Sequence, residues 1–155
     1  MAHDDADEPR ACLHICLTCR DAGSGATAES AENTARLPLP GRRLYDAARA
    51  LVPDADPALA VRPVVCLANC ERGCTATVSA PGKWAYMVGG LVPELAEDLV
   101  AYGRAFAASS TGAVLRSGRP QSLHNAIIGR FPGQFTGLDA QVAHFTKDVT
   151  KEAAE

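Results

Sequence analysis

The stretch CLANCERGCTATVSAPGKWAYMVGGL, residues 66–91, joins a cysteine-rich loop to the pattern of a β-hairpin. Two runs rich in β-forming residues, 74–78 and 83–88, are separated by Ala-Pro-Gly at residues 80–82. Proline followed by glycine is typical of a tight turn, so the two runs predict a pair of antiparallel strands. The cysteines at the start of the stretch therefore lie directly before a hairpin.

The sequence on both sides of this stretch predicts a small α/β domain. Apolar alternation in residues 11–16 and the run at residues 60–65 each predict a strand, the second one at a sheet edge because it contains Pro63. Pro93 is typical of a helix start after the hairpin. A helix before the second strand is predicted by apolar residues at helical spacing: Leu44, Ala47, Ala48, Leu51 and Val52. A β-α-β core, a β-hairpin and a C-terminal helix indicate a thioredoxin-like α/β fold.

The chain divides into three parts on composition. Residues 1–10 form an acidic N-terminus that we expect to be disordered, and residues 11–108 form the thioredoxin-like domain. Residues 109–155 form a C-terminal extension, in which residues 122–128 predict a short helix. A longer amphipathic helix near residues 138–153 is predicted by apolar residues at helical spacing: Leu138, Val142, Phe145 and Val149.

Composition excludes several classes of function. The formal net charge of −3 gives no basic surface for nucleic acid. No apolar run approaches the roughly 20 residues that a membrane span needs. The acidic start of the chain is unlike a signal peptide, so we expect a cytoplasmic protein. In that reducing compartment the six cysteines favour metal, cluster or thiol chemistry over structural disulfides.

The cysteines form two groups of three, which are Cys12, Cys16 and Cys19, then Cys66, Cys70 and Cys74. A C-x2-C pair leaves the first predicted strand, and a C-x3-C pair leaves the second. Parallel neighbouring strands would bring both loops to one edge of the sheet, where four thiolates suit either a zinc ion or a [2Fe–2S] cluster. We therefore predict Cys16, Cys19, Cys66 and Cys70 as ligands. Cys74 is an alternate ligand, and Cys12 is interpreted as a small buried residue.

Two other interpretations of this region remain open. The CLTC pair of Cys16 and Cys19 is also the pattern of a thioredoxin-type thiol oxidoreductase. Trp84 and Tyr86 alternate in the hairpin and share one face, where they pack in the core or shield a cluster from water. No nucleotide-binding or hydrolase motif is present, so an independent hydrolase or nucleotide enzyme is not expected.

The cysteine loop and hairpin resemble the thioredoxin-like [2Fe–2S] ferredoxins. The matching elements are Cys66, Cys70, Gly73, Pro81, Gly82, Trp84, Tyr86 and Gly89. More closely, the chain resembles an uncharacterised family of predicted metal-binding proteins with a CxxCR motif, a CxxxCxxGC loop and a trailing Arg-Pro. Here those elements are Cys16, Cys19 and Arg20, then Cys66, Cys70 and Cys74, then Arg119 and Pro120.

The resemblance implies a function. It indicates a ferredoxin-like protein that carries single electrons to or from a redox protein partner through a [2Fe–2S] cluster, and it implies a homodimer. The alternative is a protein that binds or delivers zinc or another metal, linked to cobalamin or metal handling. In neither case do we expect an enzyme, a nucleic-acid partner or a membrane.

Overall fold

The computed structural model of the protein describes residues 11–20 and 37–133. These residues form five strands and two α-helices, joined by loops and short 3-10 turns. In chain order they are β1 (Ala11–Cys16), α1 (Pro40–Leu51), β2 (Leu59–Val64), β3 (Cys74–Ser79), β4 (Trp84–Leu91), α2 (Ala96–Ala108) and β5 (Ile127–Pro132). The predicted bounds of the first four strands and of both helices in the core are close to those observed.

One sheet contains all five strands in the order β2-β1-β3-β4-β5. Strands β1 and β2 are parallel, as a β-α-β unit requires, and every other neighbouring pair is antiparallel. A parallel β-α-β unit followed by a β-hairpin and a helix is a thioredoxin-like arrangement. The fold class predicted from the sequence is confirmed.

The core lies between the sheet and the two helices. Leu13 and Ile15 of β1 are fully buried and lie opposite Val78 and Ala76 of β3. Both helices contact β1, β2 and each other. They contribute Leu44, Ala48, Leu99 and Phe106 to the same apolar cluster. Alternation along β1 therefore turns its odd-numbered residues towards the helices. Burial of each leucine side chain in this core contributes about 2 kcal/mol to the free energy of unfolding.

The strand β5 was not predicted. Residues 121–123 form a 3-10 turn, and β5 then pairs antiparallel with β4, with Arg130 opposite Tyr86. The predicted helix over residues 122–128 is therefore wrong, because the backbone groups of Ile127 onward bond to the edge of β4 instead. The N-terminus 1–10 and the amphipathic segment 138–153 lie outside the described residues, so the predictions for them stay predictions.

The two aromatic residues of β4 have different environments. Tyr86 is buried and packs edge-on against Phe106, with ring centroids 6.2 Å apart. Trp84 is 42% exposed, and the Arg130 guanidinium lies 4.0 Å above its ring. The cysteine-bearing end of β3 pairs with the far end of β4, about 23 Å from Trp84 at the usual rise per residue. The interpretation that Trp84 packs in the core or shields a cluster is therefore wrong.

Candidate functional site

The loops that follow β1 and β2 meet at one edge of the sheet, as the parallel pairing predicts. The Leu17 N–H donates to the Val64 carbonyl oxygen at 2.9 Å, which extends the ladder by one step. The Thr18 hydroxyl then donates to the Val65 carbonyl oxygen at 2.7 Å. Cys16 Sγ lies 3.7 Å from the same oxygen. The backbone directly before Cys66 is thereby held beside Cys16.

Cys16 and Cys19 form a buried pair. Each is 1% exposed, and their sulfurs hydrogen-bond to each other. The first turn of α1 closes over them, because the Gly41 N–H donates to the Cys19 carbonyl oxygen at 3.1 Å. A Cβ at Gly41 would lie 2.2 Å from the Cys16 carbonyl oxygen, so no other residue fits at this position without a backbone shift. The CLTC loop is thus packed between the start of α1 and the sheet.

The surroundings of this pair separate the two thiol pKa values. Burial alone would raise the pKa of Cys16, but hydrogen bonds from Cys19, Thr18 and the Leu67 N–H outweigh burial and lower that pKa below its usual value. Burial, the hydrogen bond to Cys16 and the negative charge of Cys16 raise the pKa of Cys19 to about 12. Of the two thiols, Cys16 is therefore the one that loses its proton more readily.

Cys66 and Cys70 have the opposite environment, because both are exposed. The Ala68 N–H turns back to donate to Cys66 Sγ at 3.2 Å, and Ala68 adopts a left-handed φ of 56°. Cys70 begins a single 3-10 turn that ends at Gly73, whose φ is 73°. Two left-handed residues make the CLANC loop curl sharply. It presents both of its cysteines to solvent.

The remaining two cysteines, Cys74 and Cys12, both lie in strands of the sheet. Cys74 is fully buried as the first residue of β3 and belongs to the apolar core. Cys12 is half-buried in β1, and its Sγ lies 3.6 Å from Nε2 of His14 on the same face of the strand. The interpretation of Cys12 as a small buried residue is confirmed only in part, because Cys12 is half-buried and one of its neighbours is the polar imidazole of His14.

The structure brings the two cysteine loops together but leaves their sulfurs in two separate pairs. Within residues 11–20 and 37–133, no three or more cysteine, histidine or acidic side chains form a group that could hold a metal ion. The assignment of Cys16, Cys19, Cys66 and Cys70 as ligands, with Cys74 as an alternate, therefore stays a prediction.

Two residues at the site were not found from the sequence. Thr75 hydrogen-bonds to Cys19 through both its backbone N–H and its hydroxyl, and it is fully buried. Its position directly after a cysteine of the loop was a signal available in the sequence. Gly41 had no such signal, because its contact with Cys16 joins residues that lie far apart in the chain.

The fold and the cysteine loops define a thioredoxin-like α/β protein with two cysteine pairs at one sheet edge. The chain belongs to a family described as proteins of unknown function, DUF1636, whose model matches residues 13–133. This match confirms the uncharacterised family inferred from the CxxCR and CxxxCxxGC motifs. No curated protein matches the chain.

Solved structures similar to this chain include two of a thioredoxin-like [2Fe–2S] ferredoxin from Aquifex aeolicus. One is 17% identical, with a TM-score of 0.44, and the match covers 83% of this chain and all of the ferredoxin chain. The other, a crystal structure of the wild-type protein, is 16% identical with a TM-score of 0.45, and the match covers 79% of this chain and 99% of that one.

In the described part of this chain, neither helix has the length and apolar character needed to cross a membrane.

Proposed function

We propose that this protein holds one [2Fe–2S] cluster where its two cysteine loops meet and carries single electrons to or from a protein partner. The observation that supports this most directly is the pair of hydrogen bonds, from Leu17 and Thr18, that hold the CLTC loop against the strand end before Cys66. A [2Fe–2S] cluster needs two cysteines per iron, which two adjoining cysteine pairs supply. The motif resemblance to the thioredoxin-like ferredoxins points the same way.

The chemistry of the donor set fits such a cluster. Cys16 and Cys19 are held together before any cofactor binds, and their surroundings lower the pKa of Cys16, which favours the thiolate that a metal ion needs. Cys66 is exposed, but its neighbour Leu67 donates a backbone N–H to the Cys16 sulfur. Bringing the Cys66 thiolate towards the buried pair therefore requires side-chain rotation and a local loop adjustment, with no rearrangement of the sheet. When bound, the cluster supplies a one-electron acceptor.

The two pairs would have different roles in this function. Cys16 and Cys19 would hold the cluster from the buried side, and Cys66 and Cys70 would hold it from the exposed side. Val65, which precedes the outer pair, is 71% exposed and offers an apolar contact for a partner. Electron-transfer encounters use small, transient interfaces, so a short exposed loop suffices.

Metal analysis of the protein purified without oxygen tests the proposal. We expect a coloured protein with about two iron and two sulfide ions per chain. Cys70→Ser should lose that colour and iron, whereas Cys12→Ser, at the opposite end of β1 from Cys16, should keep both. A colourless wild type with about one zinc per chain would overturn the electron-carrier proposal and favour a metal-binding or delivery protein.

One observation favours a second candidate, a thiol–disulfide oxidoreductase. Cys16 and Cys19 combine a lowered and a raised pKa in direct contact at the start of α1, which is typical of a reactive dithiol pair. Their 1% exposure opposes it, because a substrate disulfide must reach the attacking sulfur. Disulfide reduction by a metal-free protein in which Cys66 and Cys70 are both replaced by serine would support this candidate against the cluster.

A further inference from the structure

We propose that Asn69 and Thr75 form a hydrogen-bond relay that directs the Thr75 hydroxyl onto the Cys19 sulfur and thereby raises the reduction potential of the site. The inference rests on the proposed function, since it concerns the cluster that Cys19 would help to hold. Asn69 and Thr75 are positioning residues, because both act through Cys19. Asn69 belongs to the CLANC loop and Cys19 to the CLTC loop, so the relay links the two halves of the site.

The relay depends on where the single Thr75 proton can go. A hydroxyl donates one hydrogen bond and accepts others. The Asn69 side-chain amide donates to Thr75 Oγ1 at 2.9 Å, so this contact uses the oxygen as an acceptor. The Thr75 proton is left with two acceptors, the Gly73 carbonyl oxygen at 3.4 Å and the sulfur of Cys19. The contact to Gly73 is long for a hydroxyl donor, and as a cluster ligand Cys19 would be a thiolate, which is a stronger acceptor than a carbonyl oxygen.

Burial of Thr75 increases the cost of losing its hydrogen bonds. Thr75 is fully buried, so water does not replace a hydrogen bond that its side chain loses. Its backbone N–H also donates to Cys19, which gives this one sulfur two donors from the same residue. The backbone donor persists in any substitution except proline. The hydroxyl is therefore the part of the relay that a substitution can remove without altering the strand.

Gly89 in β4 makes room for the relay. A Cβ at this position would lie 3.1 Å from the Asn69 side-chain nitrogen and 2.8 Å from Cδ1 of Ile128 in β5. The absent side chain leaves space for the Asn69 amide between the CLANC loop and the sheet. Ile128 of β5 therefore borders the space that the Asn69 amide occupies.

The relay has a direct effect on redox chemistry. Hydrogen bonds to cluster sulfurs stabilise the reduced state, which carries one more negative charge, and so raise the reduction potential. Replacing Thr75 by valine keeps the shape of the side chain and removes the donor. The reduced cluster should then lose stabilisation relative to the oxidised one.

The test is the midpoint potential of the cluster-loaded full-length protein and its variants. We expect Thr75→Val to shift the reduction equilibrium about tenfold towards the oxidised form, which corresponds to about 59 mV for a one-electron couple. Thr75→Ser, which restores the hydroxyl, should stay within about threefold of wild type. Asn69→Ala, which leaves the hydroxyl undirected, should shift the equilibrium about threefold in the same direction as Thr75→Val. Thr77→Val is the matched control in the same strand and should leave the potential unchanged.

The outcomes separate this inference from the proposed function. A cluster whose potential is the same in Thr75→Val and Thr77→Val overturns the relay and leaves the electron carrier standing. If Thr75→Val does not fold, an unchanged potential in Asn69→Ala overturns the relay in the same way. A wild-type protein that contains no iron and sulfide overturns the proposed function, and the relay with it.

Discussion

The two cysteine pairs of this site differ in almost every physical respect except their residue type. Cys16 and Cys19 are buried, hydrogen-bonded to each other and covered by the first turn of α1, whereas Cys66 and Cys70 are exposed on a curled loop. The difference follows from position in the sheet. The first pair leaves the inner strand β1, with β2 and β3 on either side, and the second leaves the edge strand β2. Cysteine spacing alone does not distinguish these environments.

This asymmetry suggests an order of assembly for the site. A pair that the fold already holds together loses little conformational freedom when it binds a metal ion, whereas an exposed loop must become ordered. Under the proposed function, the CLTC pair would therefore bind first and the CLANC pair would close afterwards. The following substitutions test the structural difference on which this order depends.

The largest expected effect comes from the residue that covers the buried pair. A Cβ at Gly41 would lie 2.2 Å from the Cys16 carbonyl oxygen and 3.0 Å from the Cys19 backbone nitrogen. Both contacts are to backbone, which cannot rotate away. Gly41→Ala should therefore lower the free energy of unfolding by about 3 kcal/mol, measured by urea denaturation of the metal-free reduced protein.

Gly118→Ala provides the control for that measurement. A Cβ at Gly118 would meet Cγ1 of Val114 at 3.6 Å, which is an ordinary contact, and the stability should change by less than about 0.5 kcal/mol. Equal stabilities for the two alanine variants would show that the start of α1 does not press on the CLTC loop.

The contact at Gly41 also marks the limit of prediction from the sequence. Strands β1 to β4 follow local signals, such as the alternation around Leu13 and Ile15 and the Pro81-Gly82 turn, so the fold class follows from them. The convergence of the two cysteine loops follows from parallel pairing. The approach of Gly41 to Cys16 depends on how α1 packs on the sheet, and no local pattern in the sequence encodes that distance.

The fifth strand was missed for a related reason. Residues 127–132 contain Gly129 and Pro132, both poor strand formers, and their apolar residues do not alternate cleanly. The segment is a strand because the edge of β4 offers unpaired backbone groups, which is a tertiary cause. The close approach of Ile128 to Gly89 could not be predicted for the same reason. Local patterns therefore predicted that the two cysteine loops meet but not the residues that pack around them.

A smaller effect should distinguish the two pairs directly. Cys19→Ser places a more polar group in a buried site and should cost the metal-free protein about 2 kcal/mol of unfolding free energy. Cys70→Ser changes an exposed side chain and should cost less than about 0.5 kcal/mol. Urea denaturation of both variants under reducing conditions, with chelator present, gives the comparison.

The same two variants should behave alike once metal is offered. Each removes one predicted ligand, so iron and sulfide content should fall in both despite their unequal stabilities. Equal destabilisation of the metal-free variants would contradict the observed difference in burial. Retention of a full cluster by Cys70→Ser would remove Cys70 from the ligand set and favour Cys74.

The smallest effect is expected at the hydrogen bond that joins the two halves. The Thr18 hydroxyl donates to the Val65 carbonyl oxygen at 2.7 Å on the exposed side of the site, where water can replace the lost partner. Thr18→Val should therefore cost about 0.5 kcal/mol of unfolding free energy, and Thr18→Ser should restore wild-type stability because it keeps the donor. A loss in Thr18→Val as large as that in Cys19→Ser would contradict the order of assembly inferred above. It would mean that the contact between the loops, and not the burial of the first pair, holds the CLTC loop in place.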